Sequence, residues 1–400
     1  MRLAIVSSHP IQYYAPIFQA LTRSGQLETR VFYTWSQTAQ APIHDPGFGR
    51  VITWDIPLLE GYEHEFVPNL AREPGTHHFF GLHNPQLSRT VERWRPDAVL
   101  VFGWNSRSHL GAMRYFKGRV PVFFRGDSTL LTAAPPLKTL ARRIVLNWVY
   151  RHIDVAIAVG SNNRDYFRFS GIPDHRIAFA PHAVDNTRFA DEDGRHQAKA
   201  LEWRRELGIG PTERVILFAG KFIALKNPVL LLEAFLASES QAHLVFLGEG
   251  AVEPRLRQLA AGRPRIHFMP FQNQQAMPAV YRLGDLFVLP SYSETWGLAI
   301  NEAMASGKVV IASDRVGAAR DMVKQGVNGW VFESGNREAL AAVLRDGSAC
   351  EAAVLRTMSE AARRESQHWS IPEAAAGIEL AVLGFRYESE TKHPDNGCLQ

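Results

Sequence analysis

Residues 290–307 read Pro-Ser-Tyr-Ser-Glu-Thr-Trp-Gly-Leu-Ala-Ile-Asn-Glu-Ala-Met-Ala-Ser-Gly and lie between two short apolar runs, 286–289 and 309–312. Apolar runs of this length, bounded by turn residues, are typical of buried strands. The stretch between them predicts a loop followed by a helix that begins near Gly297. Glu294 falls in the loop, and Glu302 follows about two helical turns into the helix. We therefore expect two carboxylates near the end of one strand, although such spacing is also typical of a solvated helix face.

The same alternation of apolar runs and helical segments continues through the 400-residue chain. It predicts strands over residues 3–7, 29–33, 98–102, 120–124, 155–159, 215–219, 243–247 and 265–269. Strands that alternate with helices form parallel sheets covered on both faces. Ligands of such sheets bind beyond the carboxyl ends of the strands, so we expect functional residues in the loops that follow the strands.

The chain length indicates two domains. The predicted strands form two sets, separated by a linker and a charged stretch over residues 181–210. We predict an N-terminal Rossmann-like domain over residues 1–185 and a second one over residues 186–368. Residues 369–387 are predicted to form a final helix, for which a return to the first domain is one arrangement, and residues 388–400 a flexible tail.

A second functional loop follows the predicted strand 215–219. Gly220 permits close approach of the backbone, and Lys221 and Lys226 add two cations just beyond the strand. The helix predicted over residues 229–236 presents free amide groups at its N-terminus, which favours an anion there. The loop could hold a diphosphate, while two solvated loop lysines are the simpler interpretation.

Taken together, the lysine loop and the acid pair resemble the donor site of GT-B glycosyltransferases of family 4, whose motif is met throughout residues 290–307. The resemblance covers about residues 181–345 and implies two Rossmann-like domains facing across a cleft. It implies that Lys221, where the family usually has Arg, and Lys226 bind the diphosphate of a nucleotide-sugar donor. Glu302 would bind the ribose and Glu294 the transferred sugar, with Glu294, Lys226 and Lys221 serving catalysis.

The resemblance also implies main-chain contacts to the donor from Gly220, Gly297 and Leu298 and a retaining reaction without a metal ion or other cofactor. The implied partners are the donor and a glycan or lipid-linked acceptor used for bacterial surface polysaccharide or glycoconjugate synthesis. The sequence contains no Asp-x-Asp and no His/Asp cluster with metal-ligand spacing. We therefore predict no metal site.

The N-terminal half departs from the family where it would face the cleft. The loop after the first strand lacks the usual glycine pair and carries His9, Gln12 and Tyr13, which are candidate cleft residues or buried loop anchors. The family's donor-contacting His is also missing after the strand 120–124. Arg125 and Asp127 are candidates to replace it, or they form a structural pair.

Asn105 and His109 are weaker candidates for a cleft contact, because they follow the strand predicted over residues 98–102.

Composition excludes several other classes. Only Cys350 and Cys398 are present, so a disulfide framework is excluded, and no apolar run is long enough to span a membrane. The chain starts without a secretion signal, so we expect a cytoplasmic protein. A nicotinamide dehydrogenase needs Gly-x-Gly-x-x-Gly, which Gly248-Glu249-Gly250 does not complete. A nucleotide-sugar epimerase or hydrolase of the same fold and a non-catalytic binding module remain alternatives.

Basic residues concentrate over residues 101–151, which hold nine Lys and Arg against the single acid Asp127. Residues 137–153 have apolar side chains at helical spacing with basic ones around them. An ordinary surface helix packed on the sheet explains this pattern, and peripheral contact with an anionic membrane is the alternative. No nucleic-acid-binding module is recognisable, so we predict no nucleic-acid partner.

Overall fold

Two parallel β-sheets organise the chain, and the computed structural model describes residues 1–36, 43–45, 47–131 and 135–391. The first sheet has the order β5-β2-β1-β6-β7-β8-β9. Its strands are β1 (Arg2–Ser7), β2 (Glu28–Tyr33), β5 (Glu63–Phe66), β6 (Ala98–Phe102), β7 (Val122–Arg125), β8 (Val155–Ala158) and β9 (Ile177–Phe179). Strands β3 (Ile43–Asp45) and β4 (Arg50–Ile52) form a separate antiparallel hairpin.

The second sheet has the order β12-β11-β10-β13-β14-β15, and all its strand pairs are parallel. Its strands are β10 (Val215–Ala219), β11 (His243–Leu247), β12 (Ile266–Met269), β13 (Leu286–Leu289), β14 (Val309–Ser313) and β15 (Gly329–Phe332). Strands β10, β11, β13 and β14 are buried at every position. Their continuous apolar runs follow from coverage by helices on both faces of the sheet.

Helices cover both sheets. They are α1 (Ala15–Ser24), α2 (Leu87–Arg93), α3 (Arg107–Phe116), α4 (Pro136–Tyr150), α5 (Ser161–Phe169), α6 (Asn186–Ala190), α7 (Arg195–Glu206), α8 (Pro228–Ala237), α9 (Glu253–Ala260), α10 (Met277–Leu283), α11 (Leu298–Ala305), α12 (Ala319–Met322), α13 (Arg337–Ala349), α14 (Ala352–Gln367) and α15 (Ile371–Thr391). Short 3₁₀ turns cover Phe79–Gly81, Asp174–Arg176, Ala224–Lys226 and Gln274–Ala276. In the described part of the chain no helix is both long and apolar enough to cross a bilayer.

The last helix, α15, packs against α1 and the β8–β9 side of the first sheet. Ile371, Ile378 and Val382 join the same core as Leu3 and Ile5 of β1. The chain thus returns from the second sheet to the first. This contact ties the C-terminal segment to the N-terminal half by burial of apolar surface.

Several elements differ from the sequence-based expectation. Strands β5, β9 and β15 were not predicted, because they are three or four residues long and all three lie at sheet edges. The predicted strand 120–124 begins at Val122, after Pro121, which has no amide hydrogen to donate. The predicted tail 388–400 is wrong at its start, since α15 continues to Thr391; residues 392–400 lie outside the described part.

Candidate active site

A cavity of about 550 Å³ lies between the carboxyl-end loops of the two sheets. The first half of the chain contributes Gln12, Tyr13 and Asp127 to its lining, among other residues. The second half contributes the whole predicted donor set, which comprises Gly220, Lys221, Lys226, Glu294, Gly297, Leu298 and Glu302. The fold therefore brings into one cleft residues that are far apart in the sequence.

Glu302 lies on the second turn of α11 and is only 3% exposed. The phenol of Tyr281, on α10, donates to its Oε2 at 2.6 Å, and the phenol of Tyr13 donates to its Oε1 at 3.2 Å. Burial raises the pKa of Glu302, although these two hydrogen bonds and the charge of Arg188 oppose the rise. Each carboxylate oxygen keeps an unused lone pair that could accept from a hydroxyl.

Lys226 ends the short turn after β10, and its ammonium contacts Oε1 of Glu294. The hydroxyl of Ser291 donates to the same oxygen at 3.0 Å. The backbone of Glu294 is also fixed, because its amide donates to the carbonyl of Arg315 at 3.0 Å. The acid therefore has a defined position at the end of β13, next to a cation.

Lys221 makes an ion pair that crosses the cleft. Its Nζ lies 2.8 Å from Oδ2 of Asp45, at the end of β3. Partial burial alone would raise the pKa of Asp45, but Lys221 and the amides of Phe48 and Gly47 hold that pKa below its ordinary value. Asp45 was not among the predicted site residues, since no local pattern connects it to the lysine loop.

Asp45 belongs to a segment that we call the strap, which consists of Asp45 and residues 47–55. The strap carries β4 and lies against the loops after β11 and β12. Arg50 pairs with Glu249 at 3.0 Å, and the ring of Phe48 contacts that of Phe271 with centroids 4.8 Å apart. Further along, the side-chain amide of Asn273 donates to the Thr53 carbonyl at 2.7 Å. The first half of the chain thus covers part of the predicted donor site.

Backbone geometry prepares the remaining anion-binding groups. Gly297 has a φ of 96° directly before α11, and a Cβ there would lie 2.7 Å from Val316 Cγ1. The first amides of α11, from Leu298 and Ala299, belong to residues that line the cavity. The N-terminus of a helix attracts negative charge. This end of α11 could therefore bind an anion together with the two lysines.

The candidates from the N-terminal half divide into two groups. Gln12, Tyr13 and Asp127 line the cavity, and Oδ2 of Asp127 accepts from the hydroxyl of Thr295 at 2.9 Å. His9 is not among the described lining residues; its Nδ1 is hydrogen-bonded with the Ser8 hydroxyl at 2.9 Å, and burial lowers its pKa to about 4.

Arg125 and Asn105 also require correction as cleft residues. Arg125 is 2% exposed and donates to the carbonyls of Ala180 and Pro181 at 2.7 and 2.8 Å. It anchors the linker after β9 instead of facing the cleft. Asn105 is exposed just before α3, and neither it nor the buried His109 is among the described residues that line the cavity. Of the two candidates proposed to replace the family's missing His, the structure brings Asp127 to the cleft.

The sequence analysis missed several lining residues besides Asp45. They are aromatic or histidine side chains, namely Phe48, Trp54, His182, Phe271, Tyr281 and Trp296. For two of them, Phe271 and Trp296, a signal in the sequence existed, because both lie in loops that follow predicted strands. Among the residues that the structure describes, no group of three or more His, Cys, Asp or Glu side chains could hold a metal ion.

Comparisons with known proteins agree with this architecture. Residues 11–183 match the model of the glycosyl transferase 4-like domain, and residues 199–365 match that of the glycosyl transferases group 1. A D-inositol 3-phosphate glycosyltransferase of Xylanimonas cellulosilytica is 30% identical over 395 residues, which cover 92% of this chain and 89% of the relative. The sulfoquinovosyl transferase of Arabidopsis thaliana is 29% identical over 276 residues, covering 66% and 52%.

Solved structures show the same fold. Anabaena HepE in complex with UDP and glucose superposes with a TM-score of 0.68 at 17% identity, and the match covers 98% of this chain and 100% of HepE. WaaG, a glycosyltransferase involved in lipopolysaccharide biosynthesis, gives a TM-score of 0.65 at 16% identity, covering 96% and 100%. With two parallel-sheet domains, a cleft between them and family matches over both halves, the chain belongs to the GT-B glycosyltransferases of family 4.

Proposed function

We propose that this enzyme transfers a sugar, with retention of configuration and without a metal ion, from a nucleotide-diphosphate sugar to a glycan or lipid-linked acceptor. The reaction would serve bacterial surface polysaccharide or glycoconjugate synthesis. One observation carries the donor part of the proposal: Lys221, Lys226, Glu294 and Glu302 converge on one cavity at the carboxyl edge of the second sheet.

The charges in the cavity support a defined pose for the donor. A diphosphate between Lys221 and Lys226 would also meet the first amides of α11, so three sources of positive potential face it. Glu302 would accept hydrogen bonds from the ribose diol, next to its two phenol donors. Glu294 would hold the transferred sugar by its hydroxyls. The two lysines and the helix N-terminus would supply the charge that a metal ion provides in other transferases.

In the proposed reaction the acceptor oxygen attacks the anomeric carbon from the side on which the leaving group departs. The bond between the anomeric carbon and the phosphate oxygen breaks, and the leaving phosphate takes the acceptor's proton. The reaction passes through an oxocarbenium-like state, in which negative charge grows on the diphosphate. Lys221, Lys226 and the amides of α11 would stabilise that charge, so no enzyme nucleophile is required.

Helix α4 supports peripheral contact with an anionic membrane. It buries only Leu146, Val149 and Tyr150, so it does not pack along its whole length as an ordinary surface helix would. Its outward side carries large apolar side chains that are 44–82% exposed, namely Leu137, Leu140, Ile144, Val145 and Trp148. Lys138, Arg142 and Arg143 lie on the same helix. An apolar side with basic neighbours fits the surface of an anionic bilayer.

Sedimentation with liposomes tests the membrane contact. Wild-type protein should sediment with vesicles that contain phosphatidylglycerol and less with neutral vesicles, and Leu140→Ser with Ile144→Ser should abolish the difference. Leu380→Ser is a matched control, because Leu380 is 76% exposed on helix α15, which packs into a different hydrophobic core from α4. Equal sedimentation of the double variant and the wild type would contradict this role of α4.

A thermal-shift screen tests the donor. Wild type and Glu302→Ala are heated with UDP-, GDP-, ADP- and dTDP-glucose in the presence of EDTA. UDP-sugars come first, because HepE has been solved with UDP. A ligand of the native state at about 100 times its Kd stabilises it by about 2.7 kcal/mol, so the matching donor should shift the wild type and not the variant.

The shift with EDTA present would support metal independence, whereas a shift only with Mg²⁺ would contradict it. Product analysis then separates the reaction classes. Transfer requires an acceptor, whereas a hydrolase or epimerase would convert the donor alone. The absence of any shift for the wild type would contradict donor binding by this cleft.

A further inference from the structure

His182 lies in the linker that follows β9, where the chain passes from the first sheet toward the second. Its backbone is fixed to both halves of the protein: its amide donates to the carbonyl of Val159 at 3.0 Å, and its carbonyl accepts from the side chain of Asn301 at 3.1 Å. The residue is 4% exposed, and it lines the cavity. Its position in the cleft is therefore set by contacts on both sides.

The imidazole neighbours two aromatic rings. The ring of Tyr14 lies nearly parallel to it with centroids 6.4 Å apart, and the ring of Trp296 lies at 5.9 Å. Despite these neighbours, Nδ1 is buried and has no hydrogen-bond partner in the part of the chain that the structure describes. A buried polar atom without a partner costs about 1–3 kcal/mol, and because this one belongs to a residue that lines the cavity, a molecule bound there could supply the missing partner.

The surroundings determine which ligand the ring suits. Burial and the positive charge of Arg125 lower the pKa of His182 to about 4, although Asp127 opposes the change. The ring is therefore neutral at physiological pH, with one N–H donor and one acceptor nitrogen. A hydroxyl can both donate and accept, so it matches this ring better than a phosphate or a carboxylate does. Asp127, which also lines the cavity, offers a second acceptor for such a group.

We propose that His182 is a sugar-contacting residue, whose neutral imidazole forms a hydrogen bond with a hydroxyl of the sugar bound in the cleft. The hydroxyl belongs either to the transferred sugar or to the acceptor sugar. The inference rests on the proposed transferase function and adds to it a residue that orients the reacting sugar. A residue of this kind acts by positioning, because the reaction proposed above already gives the proton to the leaving phosphate.

Two substitutions separate hydrogen bonding from packing. His182→Phe keeps a ring next to Tyr14 and Trp296 but cannot form a hydrogen bond, while His182→Asn places an amide close to the position of Nδ1. We expect His182→Phe to lower kcat/KM about threefold to tenfold, the effect of one neutral hydrogen bond. We expect His182→Asn to recover part of that loss. Neither change should alter binding of UDP alone, which lacks the transferred sugar.

The kinetic constants distinguish the two sources of the hydroxyl. If it belongs to the donor sugar, His182→Phe should reduce the difference in affinity between the nucleotide sugar and the free nucleotide. If it belongs to the acceptor, the KM for the acceptor should rise while donor affinity stays constant. Either result supports the proposal.

His109 provides a matched control, because it is 3% exposed and burial lowers its pKa, but its ring nitrogens already have partners. Its Nε2 is hydrogen-bonded with the Thr34 hydroxyl at 3.0 Å, and its Nδ1 lies 2.9 Å from the Gly103 carbonyl. His109→Phe should lower the melting temperature. In the protein that remains folded, kcat/KM for the acceptor should be unchanged.

Two results would overturn the proposal while leaving the transferase function intact. One is wild-type kinetics in His182→Phe. The other is equal loss in the Phe and Asn variants together with a lowered melting temperature, which indicates a packing role alone. A wild-type enzyme that transfers no sugar from any donor in the panel would instead overturn both the transferase function and this inference.

Discussion

The ion pair between Asp45 and Lys221 occupies a cation that the donor diphosphate is proposed to need. Asp45→Asn is a clean perturbation, because Oδ1 of Asp45 accepts from the amides of Gly47 and Phe48 at 2.8 and 3.1 Å, whereas Oδ2 contacts Lys221. Asparagine keeps an oxygen for the two amides and replaces the other oxygen by an amide group. The substitution therefore removes the charge and preserves the turn at the end of β3.

The magnitude follows from the exposure of the pair. The side chains of Lys221 and Asp45 are 32% and 24% exposed, so the pair is neither isolated from water nor fully solvated. Ion pairs near the surface stabilise by about 0.2–1 kcal/mol. An incoming phosphate must weaken this pair, so Asp45→Asn should tighten binding of the nucleotide by up to about fivefold, since about 1.4 kcal/mol is a factor of ten.

Isothermal titration calorimetry with UDP measures the effect. Asp55→Asn is the control, because Asp55 lies on the same strap, accepts from the Gln275 amide at 3.1 Å and has no lysine partner among the residues that the structure describes. We expect lower Kd for Asp45→Asn, wild-type Kd for Asp55→Asn and higher Kd for Lys221→Gln. An unchanged or raised Kd in Asp45→Asn would refute the idea that Asp45 competes with the phosphate for Lys221. A raised Kd would indicate that Asp45 assists donor binding.

Three further substitutions test other parts of the site. Because burial raises the pKa of Glu302, folding favours its protonated form, and its contribution to stability falls as pH rises from the unfolded toward the folded pKa. The melting temperature of Glu302→Gln should thus rise relative to that of the wild type as the pH is raised from mildly acidic to neutral, while the variant loses donor binding. A difference in melting temperature that does not change with pH would contradict a buried charge at Glu302. Arg125→Met leaves two linker carbonyls without donors and should cost about 2–4 kcal/mol in urea unfolding, whereas unchanged stability with lost donor binding would restore Arg125 as a cleft residue. A Cβ at Gly248 would lie 2.0 Å from the Gly220 carbonyl oxygen. Gly248→Ala should therefore destabilise the protein by about 1–3 kcal/mol and weaken UDP binding. Wild-type affinity of this variant for UDP would show that the loop after β10 tolerates displacement.

The local sequence was sufficient to predict much of the second domain. Strands β10, β11 and β13 were predicted with their observed bounds, because strands buried on both faces need continuous apolar runs. Gly297 and its neighbours predicted where the helix begins, and this start places Glu294 in the loop and Glu302 in the helix. These features depend on interactions between neighbours in the chain, which a sequence pattern records directly.

Helix α4 shows where a local pattern stops being informative. Its apolar spacing predicted an amphipathic helix, and the structure contains one over Pro136–Tyr150. The pattern could not indicate whether the apolar side faces the sheet or the solvent. That choice depends on which surface the rest of the fold offers, and here the sheet accepts only Leu146, Val149 and Tyr150.

By itself, then, the sequence determined the α/β class, the two sets of strands and the predicted donor motif, because each depends on residues that are close together in the chain. The tertiary structure decided the partners of that motif. Tyr13 contacts Glu302 across 289 positions of the chain, and Asp45 contacts Lys221 across 176. Such pairs form only when the two sheets face each other, so no spacing along the chain marks them. The same holds for His182, whose surroundings come from both halves.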